Sequence, residues 1–98
     1  MLFAVNFADK RDQFDTRKEN LQSHIRWPDD HKEVVFIGGS LREEPDANPI
    51  GRLWIVEAES KLTIEALIRT DPFWVHGLRD TYRILHWSKA FPDRKTPV

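Results

Sequence analysis

The chain has 98 residues, no cysteine and a formal net charge of −1. This length predicts one compact domain over residues 1–98, with a loose polar tail from about residue 92. The near balance of acidic and basic side chains argues against nucleic-acid binding, and the absence of cysteine excludes disulfides and thiolate sites.

The N-terminal residues contain no cationic leader followed by a long apolar run, so we expect no signal peptide. No apolar run approaches the roughly 20 residues that span a bilayer. We therefore expect a cytoplasmic protein that binds no membrane.

The first third of the chain predicts a strand followed by a helix. Residues 2–7 are β-branched and aromatic, which is typical of a strand. A charged turn over 9–12 precedes a helix over about 13–27, where apolar side chains recur at helical spacing until Pro28 ends it.

The middle of the chain predicts two further strands. Residues 34–37 are fully apolar and are followed by Gly38 and Gly39, which we expect to end the second strand. A polar loop with two prolines covers 42–49, and a third strand follows over 50–57.

The last third predicts a second helix, a short helical turn and a closing strand. Ser60 is predicted to be the N-cap of the second helix, which has an apolar stripe. Asp71 and Pro72 then start a short turn with Asp71 as its N-cap, and the final strand covers 81–87.

This order of elements predicts an α+β fold, the ferredoxin-like βαββαβ arrangement of an antiparallel sheet with both helices on one face. Three of the strands are apolar on both faces, so the face without helices also needs a cover. The simplest cover is an identical subunit, and we predict a sheet-to-sheet homodimer.

A histidine on the first predicted helix and an aspartate after the second are the strongest candidates for chemistry. His24 can act as a general acid or base near neutral pH, or it can be a half-buried histidine bonded to a nearby carbonyl. Asp71 can orient that imidazole while also capping its helix, or it can be a structural cap only. The pair would favour proton transfer over acyl-enzyme chemistry, since no nucleophilic residue stands out.

Further residues fit a ligand site beside this pair, each with a structural alternative. Arg17 shares a helix face with His24 and can bind an anionic or phenolate oxygen, or it can be an exposed surface arginine. Gly38 and Gly39 can admit a ligand to the backbone, and Ser40 can donate a hydrogen bond to it, but all three also suit a bulge or turn.

The remaining histidines and tryptophans have plainer interpretations. His31, His76 and His86 lack the paired i, i+4 spacing of metal ligands, so we predict neither a metal nor a cofactor. The tryptophans are predicted to anchor the core and the dimer interface; they are Trp27, Trp54, Trp74 and Trp87.

Several segments, in order, resemble the YciI-like family (the YCII-related domain) over almost the whole chain, to about Phe91. They are Leu2–Val5 with Asp9–Lys10, Arg17 with His24–Ile25, Ile37–Leu41, Pro49–Ser60, Asp71–Phe73 with Gly77–Leu78, and Arg83–Trp87. The resemblance implies a ferredoxin-like domain that dimerises through its sheets, with His24 and Asp71 at the positions of a histidine–aspartate pair. It also implies kinship with a dehydrochlorinase that acts on a chlorinated hydroxyhydroquinone.

Two segments depart from the family pattern. Arg11–Asp12 stands where the family has Pro-Gly, and Glu43–Asn48 replaces an acidic, glycine-containing loop. We expect these changes to bear on substrate choice, because the loop over Glu43–Asn48 is expected to border the site.

Three functional hypotheses follow. The first is an enzyme that moves a proton on a small organic substrate, anionic or aromatic, by an elimination such as dehydrochlorination or by an isomerisation. The second is a non-catalytic module that binds a small ligand in the same cleft. The third is a dimerisation domain.

Overall fold

The computed structural model describes residues 1–10, 26–27, 30–91, 93, 95 and 98. The described residues form strand β1 (Leu2–Asp9), strand β2 (Val35–Leu41), strand β3 (Gly51–Glu57), helix α1 (Lys61–Ile68), helix α2 (Pro72–Val75) and strand β4 (Arg79–His86). The strands form one antiparallel sheet in the order β2-β3-β1-β4. The protein is thus a small α+β fold, consistent with the predicted ferredoxin-like arrangement.

Most of the helix predicted over 13–27 lies outside the described residues. Arg26 and Trp27, at its predicted end, are helical. The Trp27 indole Nε1–H donates to the Thr70 hydroxyl at 2.9 Å, which ties Trp27 to the residues that follow α1.

Strand β2 corrects one prediction. It does not end at Gly38 and Gly39 but continues through them to Leu41. Both glycines pair with β3, Gly38 opposite Trp54 and Gly39 opposite Leu53. Backbone pairing with an adjacent strand here outweighs the low strand propensity of glycine.

Strand β1 continues past its predicted end, and strand β4 begins before its predicted start. β1 runs to Asp9, and β4 begins at Arg79, because these two residues pair with each other across the sheet. The pairing shifts register between Ala8 and Asp9, so Ala8 lies opposite Thr81 while Asp9 lies opposite Arg79. This irregularity turns the Arg79 side chain inward.

The predictions for the two helices after β3 are confirmed. The Ser60 hydroxyl caps α1 by accepting from the Thr63 N–H at 3.3 Å, and Ile64 and Ile68 are buried on its inner stripe. Asp71 caps α2, and Pro72 is in its first turn. Neither α1 nor α2 has the length and apolar character needed to cross a bilayer.

The core lies between the sheet and α1. Alternate residues of β1 point into it and pair with inward residues of β3, Phe3 with Val56 and Val5 with Trp54. The aliphatic side chains of α1 cover them. The main cluster comprises Phe3, Val5, Phe7, Trp27, Val35, Trp54, Val56, Ile64 and Ile68.

The opposite face of the sheet carries an apolar row across all four strands. Ile37, Ile55, Ala4 and Leu85 are successive partners along this row. Ile37 and Leu85 are 43% and 42% exposed in the single chain. Such a row agrees with the sequence pattern that predicts a partner on this face, and dimerisation itself stays a prediction.

Candidate active site

The Asp71 carboxylate lies between the end of α1 and the start of α2, and it is completely buried. One carboxylate oxygen, Oδ1, accepts from the Phe73 N–H at 3.2 Å, which is the N-cap hydrogen bond of α2. Pro72 has no N–H to satisfy at this position, so the Asp-Pro pair suits the start of the helix. The sequence prediction of Asp71 as an N-cap is confirmed.

The other oxygen of Asp71 belongs to a buried ion cluster. The Arg79 guanidinium donates from Nε to Asp71 Oδ2 at 3.0 Å and from Nη1 to Asp9 Oδ1 at 2.7 Å. The three side chains are at most 3% exposed. Charge-assisted hydrogen bonds of this kind fix both carboxylates in orientation as well as position.

Two aromatic rings enclose the guanidinium of the cluster. Its Cζ lies 4.7 Å from the centroid of the Phe7 ring and 5.0 Å from that of Phe73. Cation–π contacts compensate part of the hydration that a buried guanidinium loses. Because Phe7 belongs to the inward face of β1, the ion cluster lies on the core side of the sheet.

A second polar group lies on the same side of the sheet, on β2 and β3. Residues opposite each other on adjacent strands point to the same face. Ser40 pairs with Arg52 and Gly38 with Trp54, and the Arg52 guanidinium donates from Nη1 to the Ser40 hydroxyl at 3.5 Å. Arg52 is only 9% exposed.

The predicted ligand-binding residues of β2 are divided between the two faces. Gly38 and Ser40 lie on the same face as Asp71, whereas Gly39 pairs with Leu53 and lies on the opposite face. The period-two alternation of a strand forces this division. The register brings only Gly38 and Ser40 to the side of Asp71, so of the three residues only these two stay predicted to contact a ligand there.

His24 and Arg17 lie outside the described residues, so the His24–Asp71 pairing stays a prediction. The other three histidines occupy separate places. His31 stacks on Trp27 at 4.3 Å, His86 packs against Phe3 at 4.6 Å, and His76 caps the end of α2. In the part of the chain that the structure describes, no three His, Cys, Asp or Glu side chains form a metal-binding group.

Aromatic side chains connect the two polar groups. Trp54 stacks on Trp27 with centroids 4.6 Å apart, and its ring meets Phe7 edge-on at 4.5 Å. Trp27 and Trp54 are buried, as predicted for core anchors. Trp74 contacts Tyr82 at 5.5 Å, while Trp87 is 38% exposed.

An apolar groove of about 340 Å³ lies beside the other end of β3. Its walls come from α1, from the end of β3 and from the residue before β2. It is lined by Val34, Val56, Glu57, Ala58, Thr63, Ile64, Ala66, Leu67 and Thr70.

Sequence reasoning missed the partners of Asp71. Asp9 fits a charged turn, and Arg79 precedes the predicted start of the last strand. Tyr82 is half-buried and faces inward, so regular strand alternation would place Asp80 inward and Arg79 outward. The register shift beside Asp9 reverses these orientations, and Arg79 is the buried residue. The available signal for Arg52 is its charge beside the apolar run Leu53–Val56 of the same strand.

The fold and the buried polar groups define a small α+β domain with charged side chains held under its helices. The YCII-related domain model matches residues 1–88, and the chain belongs to this family. No curated protein is similar enough in sequence to count as a match.

Among solved structures, the chain is similar to the 5-chloro-2-hydroxyhydroquinone dehydrochlorinase of Burkholderia phenoliruptrix AC1100, in complex with 2,5-dihydroxybenzoquinone. The TM-score is 0.80 and the sequence identity is 24%. The match covers 90% of this chain and 94% of that one. At this identity the likeness defines the fold.

Proposed function

We propose that this protein is a small enzyme in which His24 and Asp71 together transfer a proton on a small organic substrate. The observation that carries the proposal is the state of Asp71, whose buried carboxylate is held through both oxygens. A carboxylate fixed in this way can orient an imidazole and stabilise its protonated form. The YciI-like resemblance implies the same pair of residues.

The proposed chemistry is an elimination of the dehydrochlorination type, with isomerisation as the related possibility. Loss of HCl breaks a carbon–chlorine bond, releases chloride and transfers one substrate proton to a base, so it needs no external oxidant or reductant. The His24 imidazole would take this proton, and Asp71 would stabilise the imidazolium that results. The similar fold of a dehydrochlorinase supports this reaction type.

The proposed substrate is a small ring with anionic or phenolic oxygens. Arg17 would attract an anionic oxygen, while Gly38 and Ser40 would contact the ligand from β2. The bound 2,5-dihydroxybenzoquinone of the similar structure is a ring of this kind.

The reaction is tested by offering the protein 5-chloro-2-hydroxyhydroquinone and measuring released chloride. We expect His24→Ala and Asp71→Asn each to lower the rate of chloride release by about 10²- to 10⁴-fold, the usual contribution of general acid–base catalysis. His76→Ala, which changes an exposed histidine, is the control and should leave the rate unchanged. No chloride release by the natural chain, or release that survives His24→Ala, would overturn the proposal.

We also propose that the protein is a homodimer joined through the apolar row Ile37–Ile55–Ala4–Leu85. Exposure of more than 40% at both ends of a fully apolar row is unusual for a face that meets water. A second copy would cover the same row by two-fold symmetry.

A second candidate function, non-catalytic binding of a small apolar ligand, is favoured by the groove beside α1. Its volume of about 340 Å³ and its aliphatic walls suit a small organic molecule. This alternative predicts that ligand binding persists in His24→Ala and Asp71→Asn and that no turnover accompanies it.

A further inference from the structure

Within the part of the chain that the structure describes, the indole N–H of Trp54 is a buried donor without an acceptor. Trp54 is 0% exposed, and its Nε1 has no hydrogen-bond partner. The indole of Trp27, which stacks on it, donates to Thr70. An unpaired buried N–H costs about 1–3 kcal/mol, so a ligand that brings an acceptor to this N–H would bind favourably.

Gly38 leaves room beside this donor. A Cβ placed on Gly38 would lie 3.6 Å from Trp54 Cδ1, the ring carbon bonded to Nε1, and 3.5 Å from Arg52 Nη2. Gly38 itself is exposed and lies on the edge strand of the sheet. The missing side chain therefore leaves an exposed backbone position next to the buried indole edge and the guanidinium.

We propose that Gly38, Trp54 and Arg52 form a subsite for the anionic oxygen of an aromatic ligand. The Trp54 N–H donates to the oxygen and the guanidinium of Arg52 supplies positive charge, while Gly38 provides the space. Ser40, which already accepts from Arg52 at 3.5 Å, orients the guanidinium from the neighbouring strand. This proposal deepens the proposed function and rests on it for the role of the ligand as a substrate.

The subsite lies on the same face of the sheet as Asp71. Phe7 separates the two, since its ring meets Trp54 on one side and the Arg79 guanidinium on the other. The donors of the subsite and the Asp71 carboxylate thus lie on one face of the sheet, with the Phe7 ring between them. Donors at one end and a carboxylate at the other suit a substrate that is held by one oxygen and loses a proton elsewhere.

The adjacent glycines of β2 offer a matched pair of variants. Gly38→Ala adds a methyl group beside Trp54 and Arg52 at ordinary contact distances, so the fold should tolerate it. Gly39→Ala adds the same group on the other face, where nothing lies within 4 Å. Both variants make the same change in strand propensity, and only one reaches the subsite.

The test follows the indole N–H resonances by ¹⁵N NMR during titration with 4-nitrophenolate, with neutral 4-nitroanisole as the comparison ligand. Trp54→Phe assigns the Trp54 resonance. We expect 4-nitrophenolate to shift it, 4-nitroanisole to bind at least about tenfold more weakly, and Gly38→Ala to weaken 4-nitrophenolate binding by about tenfold or more. Gly39→Ala should bind as the natural chain does.

The subsite is overturned if 4-nitrophenolate leaves the Trp54 resonance in place, if 4-nitroanisole binds equally well, or if the two glycine variants behave alike. Failure of the proposed function has a different signature. In that case Trp54 still responds to the phenolate, while no chloride is released from the chlorinated substrate.

Discussion

Arg79 connects three parts of the chain through one buried guanidinium. It binds Asp9 at the end of β1 and Asp71 at the start of α2, and it is itself the first residue of β4. These two buried carboxylates depend on the cation, since each loses its hydration on burial. The orientation of Asp71 therefore depends on a residue eight positions further along the chain.

Removal of this cation is expected to destabilise the protein strongly. Arg79→Met should lower the free energy of unfolding by about 3–5 kcal/mol, because it leaves two buried carboxylates without their guanidinium. Urea denaturation measures the change. Arg83→Met, an exposed position on the same strand, is the matched control and should change stability by less than about 0.5 kcal/mol. Equal effects of the two variants would show that the ion cluster adds little to stability.

At the residue scale, the sequence predicted Asp71 as an N-cap but not its ion partners. The Asp-Pro pair is a local signal that works within a few residues. The Asp9–Arg79 contact spans 70 residues, and it depends on a strand irregularity that neither segment encodes alone. Arg52 could be recognised from sequence as a charged residue in a mostly apolar strand. Its contact with Ser40 could not be predicted, because it depends on the register of β2 against β3.

At the scale of elements, the contact between β1 and β3 depends on one glycine. A Cβ on Gly51 would collide with the carbonyl oxygen of Phe7 on the adjacent strand. Gly51 is buried and pairs with Ala8, at the end of the sheet that carries Arg52 and Ser40. Close approach of the two backbones holds this end of the sheet together.

Gly51→Ala should therefore destabilise the protein by about 1–3 kcal/mol, the usual cost of an added methyl group in a packed site. Thermal unfolding followed by circular dichroism provides the measurement. Gly39→Ala serves as the reference, since its new methyl group meets no atom within 4 Å. A Gly51→Ala variant as stable as the Gly39→Ala variant would contradict the close packing of β1 on β3.

The described elements follow the sequence prediction closely where local signals are strong. Ser60 and Asp71 start their helices as predicted, because capping is a local interaction. Strand β2 is longer than predicted, since its glycines gain hydrogen bonds from a partner strand that is distant in sequence. The first predicted helix carries His24 and Arg17, and it lies almost entirely outside the described residues.

At the scale of the whole molecule, the two faces of the sheet have different surroundings. The inner face is buried beneath α1, while the outer face retains an apolar row with exposed ends at Ile37 and Leu85. The sequence predicted that the face without helices also needs a cover, because three strands are apolar at both alternating sets of positions. The sequence does not show which molecule covers the outer face, and the homodimer is inferred because an identical subunit is the simplest cover.

Leu85→Glu should convert the proposed homodimer into a monomer at micromolar concentration. Two-fold symmetry would place two buried carboxylates in one interface, and unpaired buried charges are costly. Size-exclusion chromatography with light scattering measures the mass. Leu62→Glu places the same charge on α1, where Leu62 is 75% exposed, and should leave the dimer intact. A natural chain that runs as a monomer would contradict the proposed assembly.

The central claim is that Asp71 acts directly on the His24 imidazole, and an NMR titration of the histidines tests it most directly. His31, His76 and His86 serve as internal references in the same spectra. We expect His24 to titrate at higher pH in the natural chain than in Asp71→Asn, since the carboxylate stabilises the imidazolium and asparagine still caps the helix. Asp80→Asn, an exposed position, should leave the His24 curve unchanged. A His24 curve that is identical in the natural chain and in Asp71→Asn would contradict the claim.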